Sequence, residues 1–159
     1  MDAVEHMAVN AVSSEQIDRM IARDMVWVPT MELWSCVTER HGTSGWEATA
    51  AANLLRFVDA GGSVALGTDY AGYVCSFDLG MPMTEILLMA DAGLTPVQII
   101  EAATRNAARV CGLGSELGTI EPGRIADVIV VDGNPFDDLN ALGDVWLVVH
   151  NGVVIRNDK

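Results

Sequence analysis

With 159 residues, half of them hydrophobic, the chain is long enough for one ordinary domain with a real core. Its net charge of −13 is the opposite of the clustered Lys and Arg that a phosphate backbone requires, so no nucleic-acid partner is expected. No apolar run reaches the length of a membrane span, and Met1 to His6 has neither a basic region nor an apolar signal core, so a cytoplasmic protein without a membrane partner is expected.

Ala3-Val4-Glu5-His6 reads as a short strand. Ser13 and Gln16 have the spacing of a capping box, and Ile17, Met20 and Ile21 recur at helical spacing, which predicts a helix over residues 14–23. Val26-Trp27-Val28 reads as a second strand, stopped by Pro29, which cannot donate a ladder hydrogen bond. Trp46, Ala50, Leu54, Phe57 and Val58 predict the next helix, ended by Gly61 and Gly62. Residues 63–66 form the third predicted strand, leading into Gly67-Thr68-Asp69.

Two more helices follow. One covers about residues 84–91 and stops at Gly93. The other opens on Thr95-Pro96 with Gln98 completing a capping box, and its apolar stripe is Val97, Ile100, Ala107 and Cys111. Strands alternating with helices point to parallel βα units. After Gly114 the pattern changes to a turn-rich segment, a strand at residues 126–131, and a hairpin signal in which Asn151-Gly152 suits a type I′ turn. The chain thus divides into an α/β body over residues 1–113 and a small antiparallel β unit over residues 114–159.

Cys36, Cys75 and Cys111 are scattered, odd in number and without a CxxC pair, which favours reduced, packed thiols. Gly61, Gly62 and Gly67 do not make a phosphate loop, because no Gly-Lys-Ser/Thr follows and the first two precede their strand. Met81, Met83 and Met89 fall near one helix and read as core filler.

In barrels of parallel βα units, functional side chains gather at the C-terminal ends of strands. His6 and Asp69 stand at such ends. Imidazole and carboxylate are the usual ligands of a Zn²⁺-like metal, which lowers the pKa of a bound water towards neutrality. A carboxylate beside that water can take its proton and pass one to a leaving nitrogen. On spacing alone the plainer reading of both residues is structural: a polar residue near the chain start, and an Asp capping a turn.

Gly67-Thr68-Asp69, then Ala103-Thr104-Arg105-Asn106-Ala107-Ala108, then the run Leu117-Gly118-Thr119-Ile120-Glu121-Pro122-Gly123-Arg124-Ile125-Ala126-Asp127-Val128 together resemble the closing stretch of the amidohydrolase superfamily. The likeness is greatest to its imidazolonepropionase-like and prolidase-like branch. Val4-Glu5-His6 and Val28-Pro29-Thr30 are similar to the sixth and seventh barrel strands of that branch, in the same order. The resemblance implies the C-terminal part, about strands six to eight, of a TIM barrel, with residues from about Gly118 returning to a small flanking β-sandwich.

It further implies His6 as the sixth-strand metal ligand and Asp69 as the eighth-strand residue that both binds metal and shuttles the proton. Thr30 and Tyr70 adjoin strand ends, and His41 lies in the loop after the seventh strand; these three are the expected substrate contacts. His150, just before the Asn-Gly turn, is expected to be structural. The cofactor implied is a divalent metal, Zn, as one or two ions in a complete enzyme.

The family's His-x-His pair and fifth-strand His are absent, and the only lysine is Lys159, so the bridging lysine is missing too. Two protein ligands do not close a catalytic metal site, which takes at least three. The expected function is therefore metal-dependent hydrolysis of a C–N bond in a small molecule or dipeptide, with this chain an incomplete fragment. The alternative is a non-catalytic α/β fragment or assembly unit. Exposed strand edges and a half-built sandwich also predict self-association into a homo-oligomer, or loose packing.

Overall fold

Three short strands, β1 (Ala3–Glu5), β2 (Val26–Val28) and β3 (Ser63–Val64), lie parallel in the order β1-β2-β3, with Val4 opposite Trp27 and Trp27 opposite Val64. The computed structural model describes residues 2–43, 45–69 and 75–159. Between the strands run α1 (Ser14–Ile21), α2 (Met31–His41) and α3 (Trp46–Asp59). After β3 come α4 (Met83–Asp91), α5 (Pro96–Glu101), a π-helical turn (Ala102–Asn106) and α6 (Ala107–Val110). The chain is α/β, and among the described residues no helix is long and apolar enough to cross a membrane.

The helix starts follow their capping chemistry. Ser13 and Thr95 both accept the amide three residues on, and Gln16 and Gln98 reach back to the cap amides, completing both capping boxes. The apolar faces of these helices close over the sheet. Trp27 and Phe57 meet edge to face at 5.2 Å, and Leu54, Ile86, Met89 and Ile99 fill the space around them. Met89 is fully buried, while Met81 and Met83 pack at the edge of the same core, as expected of filler.

The helix expected over residues 95–111 is interrupted. At its π-helical turn the Ala102 carbonyl accepts the Leu66 amide at 3.0 Å, while the Asn106 side chain donates to the Val64 carbonyl at 2.8 Å. The Ala65 amide meanwhile donates to Trp27 in β2. Along the outer edge of β3, expected to be open, the Val64 carbonyl and the Leu66 amide are therefore satisfied by a helix.

The second sheet is antiparallel in the order β4-β5-β6, formed by β4 (Val128–Val131), β5 (Val145–His150) and β6 (Val153–Asn157). Asn151 and Gly152 have φ of 49° and 77°, the pair of positive angles that a type I′ turn needs. Asp127 accepts from the Asn151 amide at 2.6 Å and pairs with His150 at 3.0 Å, so His150 fastens the hairpin. Gly118 packs where a Cβ would stand 2.8 Å from that of Ala108, joining the turn-rich segment to α6.

Two further expectations are corrected. The thiols of Cys36 and Cys75 are not reduced but form a disulfide, leaving Cys111 free and exposed. Their 39-residue separation hides a proximity that the fold creates, with Cα atoms 6.1 Å apart. His41, expected in a loop after the seventh strand, is the last residue of α2.

Candidate active site

Five non-glycine residues have positive φ among the described residues, and three of them follow the three parallel strands: His6 (66°), Thr30 (49°) and Asp69 (54°). Such a backbone costs on the order of 1–3 kcal/mol per residue and persists only where surroundings impose it. All three were singled out from the sequence, and the fold brings them to one end of the sheet.

The surroundings of His6 are specific. The Trp27 indole donates to its carbonyl at 2.9 Å, and the Met7 amide donates to the Pro29 carbonyl at 2.9 Å, carrying the β1–β2 pairing past the strands. The imidazole places Nδ1 3.1 Å from Thr30 Oγ1 and Nε2 4.0 Å from an Asp69 carboxylate oxygen. Trp34 stands edge-on to the ring at 6.3 Å. Asp69 reaches its place because Gly67 lets β3 approach β2: a Cβ there would lie 2.6 Å from Val28 Cγ1.

Thr30 is the N-cap of α2, yet its side chain makes no capping bond to its own helix. The free amides of Met31 and Glu32 are taken instead by the two carboxylate oxygens of Glu85, at 2.9 and 2.7 Å. Glu85 is fully buried, and burial pushes its carboxyl up to about 7 against the opposing pull of those two amides, with the nearby Glu32 adding to the rise. Burial also raises Glu32, which accepts from the Asp78 amide at 3.3 Å.

The other expected contacts fare differently. Tyr70 lies outside the described residues. His41 is not in a loop but on the last turn of α2, exposed, roughly 16 Å along the helix from Thr30. There it sits with Arg40 at the negative end of the helix dipole. A cleft of about 390 Å³ is lined by Leu66, Gly67, Thr68, Asp78, Leu79, Gly80 and Pro82, Thr68 being the residue before Asp69. Sequence reasoning missed Trp34, Glu32 and Glu85. Glu85 carried no signal, since one carboxylate in an amphipathic helix reads as a solvated face.

His6 and Asp69 are donors of the right chemistry for a divalent cation, with their side chains 42% and 51% exposed and so open to one. Among the described residues no three His, Cys, Asp or Glu side chains gather as a closed metal site requires. The pair fits part of a metal site, not a whole one.

Parallel βα units that carry an imidazole and a carboxylate facing each other at left-handed strand ends define the class of α/β scaffold whose chemistry lies at one end of its sheet. More particularly, residues 5–155 match the amidohydrolase family, and the chain belongs to it. It is 37% identical over 122 residues to an imidazolonepropionase of Geobacillus sp. (strain WCH70), covering 74% of this chain and 28% of that protein. Over 91 residues it is 35% identical to a 5-methylthioadenosine/S-adenosylhomocysteine deaminase of Syntrophomonas wolfei, covering 54% of this chain and 21% of that one. A crystal structure of a Xaa-Pro dipeptidase with bound methionine in its active site superposes with a TM-score of 0.84 at 25% identity, covering 98% of this chain and 40% of that one. The chain thus spans about 28% of the length of the imidazolonepropionase it matches.

Proposed function

We propose that this chain is the part of a metal-dependent amidohydrolase that supplies the sixth, seventh and eighth strands of a TIM barrel, followed by strands of a flanking β-sandwich from about residue 114. The reaction is hydrolysis of a C–N bond, in an amide, a cyclic amide or a dipeptide. The observation that carries this reading is the His6–Asp69 pair, held 4.0 Å apart at strand ends by backbone geometry that costs energy. Imidazolonepropionase and Xaa-Pro dipeptidase relatives support the substrate class.

His6 would hold the metal, a Zn²⁺-like ion, through Nε2, and Asp69 through its carboxylate. Bound there, such an ion supplies Lewis acidity that lowers the pKa of water and polarises a carbonyl. Asp69 accepts the proton lost by the attacking water and delivers one to the leaving nitrogen. Thr30 orients the His6 ring, and the cleft beside Thr68 receives the substrate. Tyr70, next in sequence to Asp69, is assigned to substrate contact on that adjacency; His41 was expected to share that role, but its exposed place at the far end of α2 does not support the contact.

The second reading, a non-catalytic unit, is favoured by the incomplete donor set among the described residues. Calorimetric Zn²⁺ titration of the 159-residue chain and its His6→Ala variant separates the two. Weak binding that His6→Ala removes, with no hydrolysis, is expected of a partial site. Zn²⁺ binding that is unchanged by His6→Ala sinks the assignment. In a complete enzyme Asp69→Asn should abolish turnover without unfolding; retained kcat there would overturn the role given to Asp69.

A further inference from the structure

A threonine at a helix N-cap ordinarily turns its hydroxyl onto the amides of its own first turn. Thr30 does not. Its φ is 49°, and its Oγ1 faces His6 Nδ1 at 3.1 Å. The amides it leaves unserved are those of Met31 and Glu32, and each is taken by one oxygen of Glu85. Thr30, Met31 and Glu85 are all at most 2% exposed, so water is not at hand to replace either partner.

We propose that Glu85 is a positioning residue for His6: by capping α2 from a distant helix it releases the Thr30 hydroxyl to hold the imidazole with Nδ1 engaged and Nε2 turned to Asp69. This rests on the reading of His6 as a metal ligand. Coordination through Nε2 requires the proton on Nδ1, where it donates to Thr30 Oγ1, and such outer contacts orient the ring and set the tautomer. In water a free histidine favours the other tautomer, with its proton on Nε2. Remove the Glu85 carboxylate, and the lowest-energy way to satisfy the buried amides is for Thr30 to return to an extended backbone and cap its own helix. His6 then loses its partner.

Long-range ¹H–¹⁵N spectra of the His6 ring in the 159-residue chain read this directly, recorded at about pH 8.5 where an ordinary histidine is neutral. Wild type should show the Nδ1–H tautomer. Glu85→Ala should shift His6 to the Nε2–H form, and Thr30→Val should do the same by removing the link. Glu85→Gln keeps one acceptor oxygen and should restore much of the wild-type spectrum. A purely structural role for Glu85 would lower stability in urea without moving the tautomer.

Zn²⁺ affinity should fall roughly 10- to 100-fold in Glu85→Ala, the scale of lost outer-shell contacts. A folded Glu85→Ala with wild-type His6 signals overturns the proposal. If Glu85→Ala does not fold, unchanged His6 signals in Thr30→Val overturn it equally. A wild-type chain that shows the Nδ1–H tautomer and binds no Zn²⁺ sinks the metal-ligand reading alone, so the two failures are told apart.

Discussion

Glu85 accepts the Met31 amide at 2.9 Å from 54 positions away in the chain, and both groups are buried. A carboxylate held this way is stabilised by the amides and penalised by burial, and the penalty wins: its carboxyl is pushed from 4.5 up to about 7. The groups facing it include Glu32, also raised, and through Glu32 the Asp78 carboxylate, and among the described residues no cation offsets the burial.

The sign of the resulting pH dependence follows from linkage. Folded protein binds the Glu85 proton more tightly than unfolded chain, so the contribution is complete below 4.5 and is lost as pH rises through about 7. The loss is on the order of 3 kcal/mol for this group alone. Urea unfolding should therefore show stability falling between about pH 5 and 8, and Glu85→Gln should flatten the slope. Equal slopes in both proteins would show that Glu85 titrates normally.

The Cys36–Cys75 bridge ties α2 to the segment that follows residue 74. Closing a 39-residue loop removes unfolded-state entropy worth about 4 kcal/mol in the chain-entropy account. Reduction with dithiothreitol should lower stability by up to that amount. Denatured, unreduced protein prepared in air should present one reactive thiol, Cys111. Three reactive thiols would refute the pairing.

Gly67 and Val28 make a sharper geometric test. Gly67→Ala forces a Cβ into a site 2.6 Å from Val28 Cγ1, on a stiff β-branched side chain. Overpacking of this kind costs roughly 1–3 kcal/mol. In a Val28→Ala background the obstructing methyl is gone, and the same Gly67→Ala change should cost clearly less. Additive costs in the double-mutant cycle would mean that β3 does not approach β2 as described.

What the sequence made legible was what local chemistry controls. Both capping boxes, the breaks at Pro29 and Gly61-Gly62, and the Asn151-Gly152 turn are set within a few residues, and each lies where expected. His6, Thr30 and Asp69 were legible because strand ends can be read from apolar runs. What stayed hidden depends on distant partners. No capping residue announced α2, because its cap comes from Glu85 in α4. The π-helical turn breaks no periodicity in Ala102-Ala103-Thr104-Arg105-Asn106, and its role shows only when Leu66 lies beside it. The disulfide likewise needs the fold before Cys36 and Cys75 meet.

That cover over β3 relocates the expected self-association. With the Leu66 amide and Val64 carbonyl satisfied by the π-helical turn and Asn106, the β3 edge no longer offers a template for another strand. The antiparallel sheet does. Its edge strand β6 is exposed along its whole length, with Val153, Val154 and Ile155 at 63%, 54% and 64% exposure, so apolar side chains face solvent on both sides. Isolated soluble chains rarely leave such a strand bare. Light scattering after size exclusion should give a mass above 17.0 kDa, and Val153→Lys with Ile155→Lys should return the chain to monomer, since charge on an edge strand blocks pairing. Asn106→Ala reopens the Val64 carbonyl and should add a second mode of association. A wild-type chain that elutes as a sharp 17.0 kDa monomer, unfolds cooperatively and binds no apolar dye would show that β6 needs no partner.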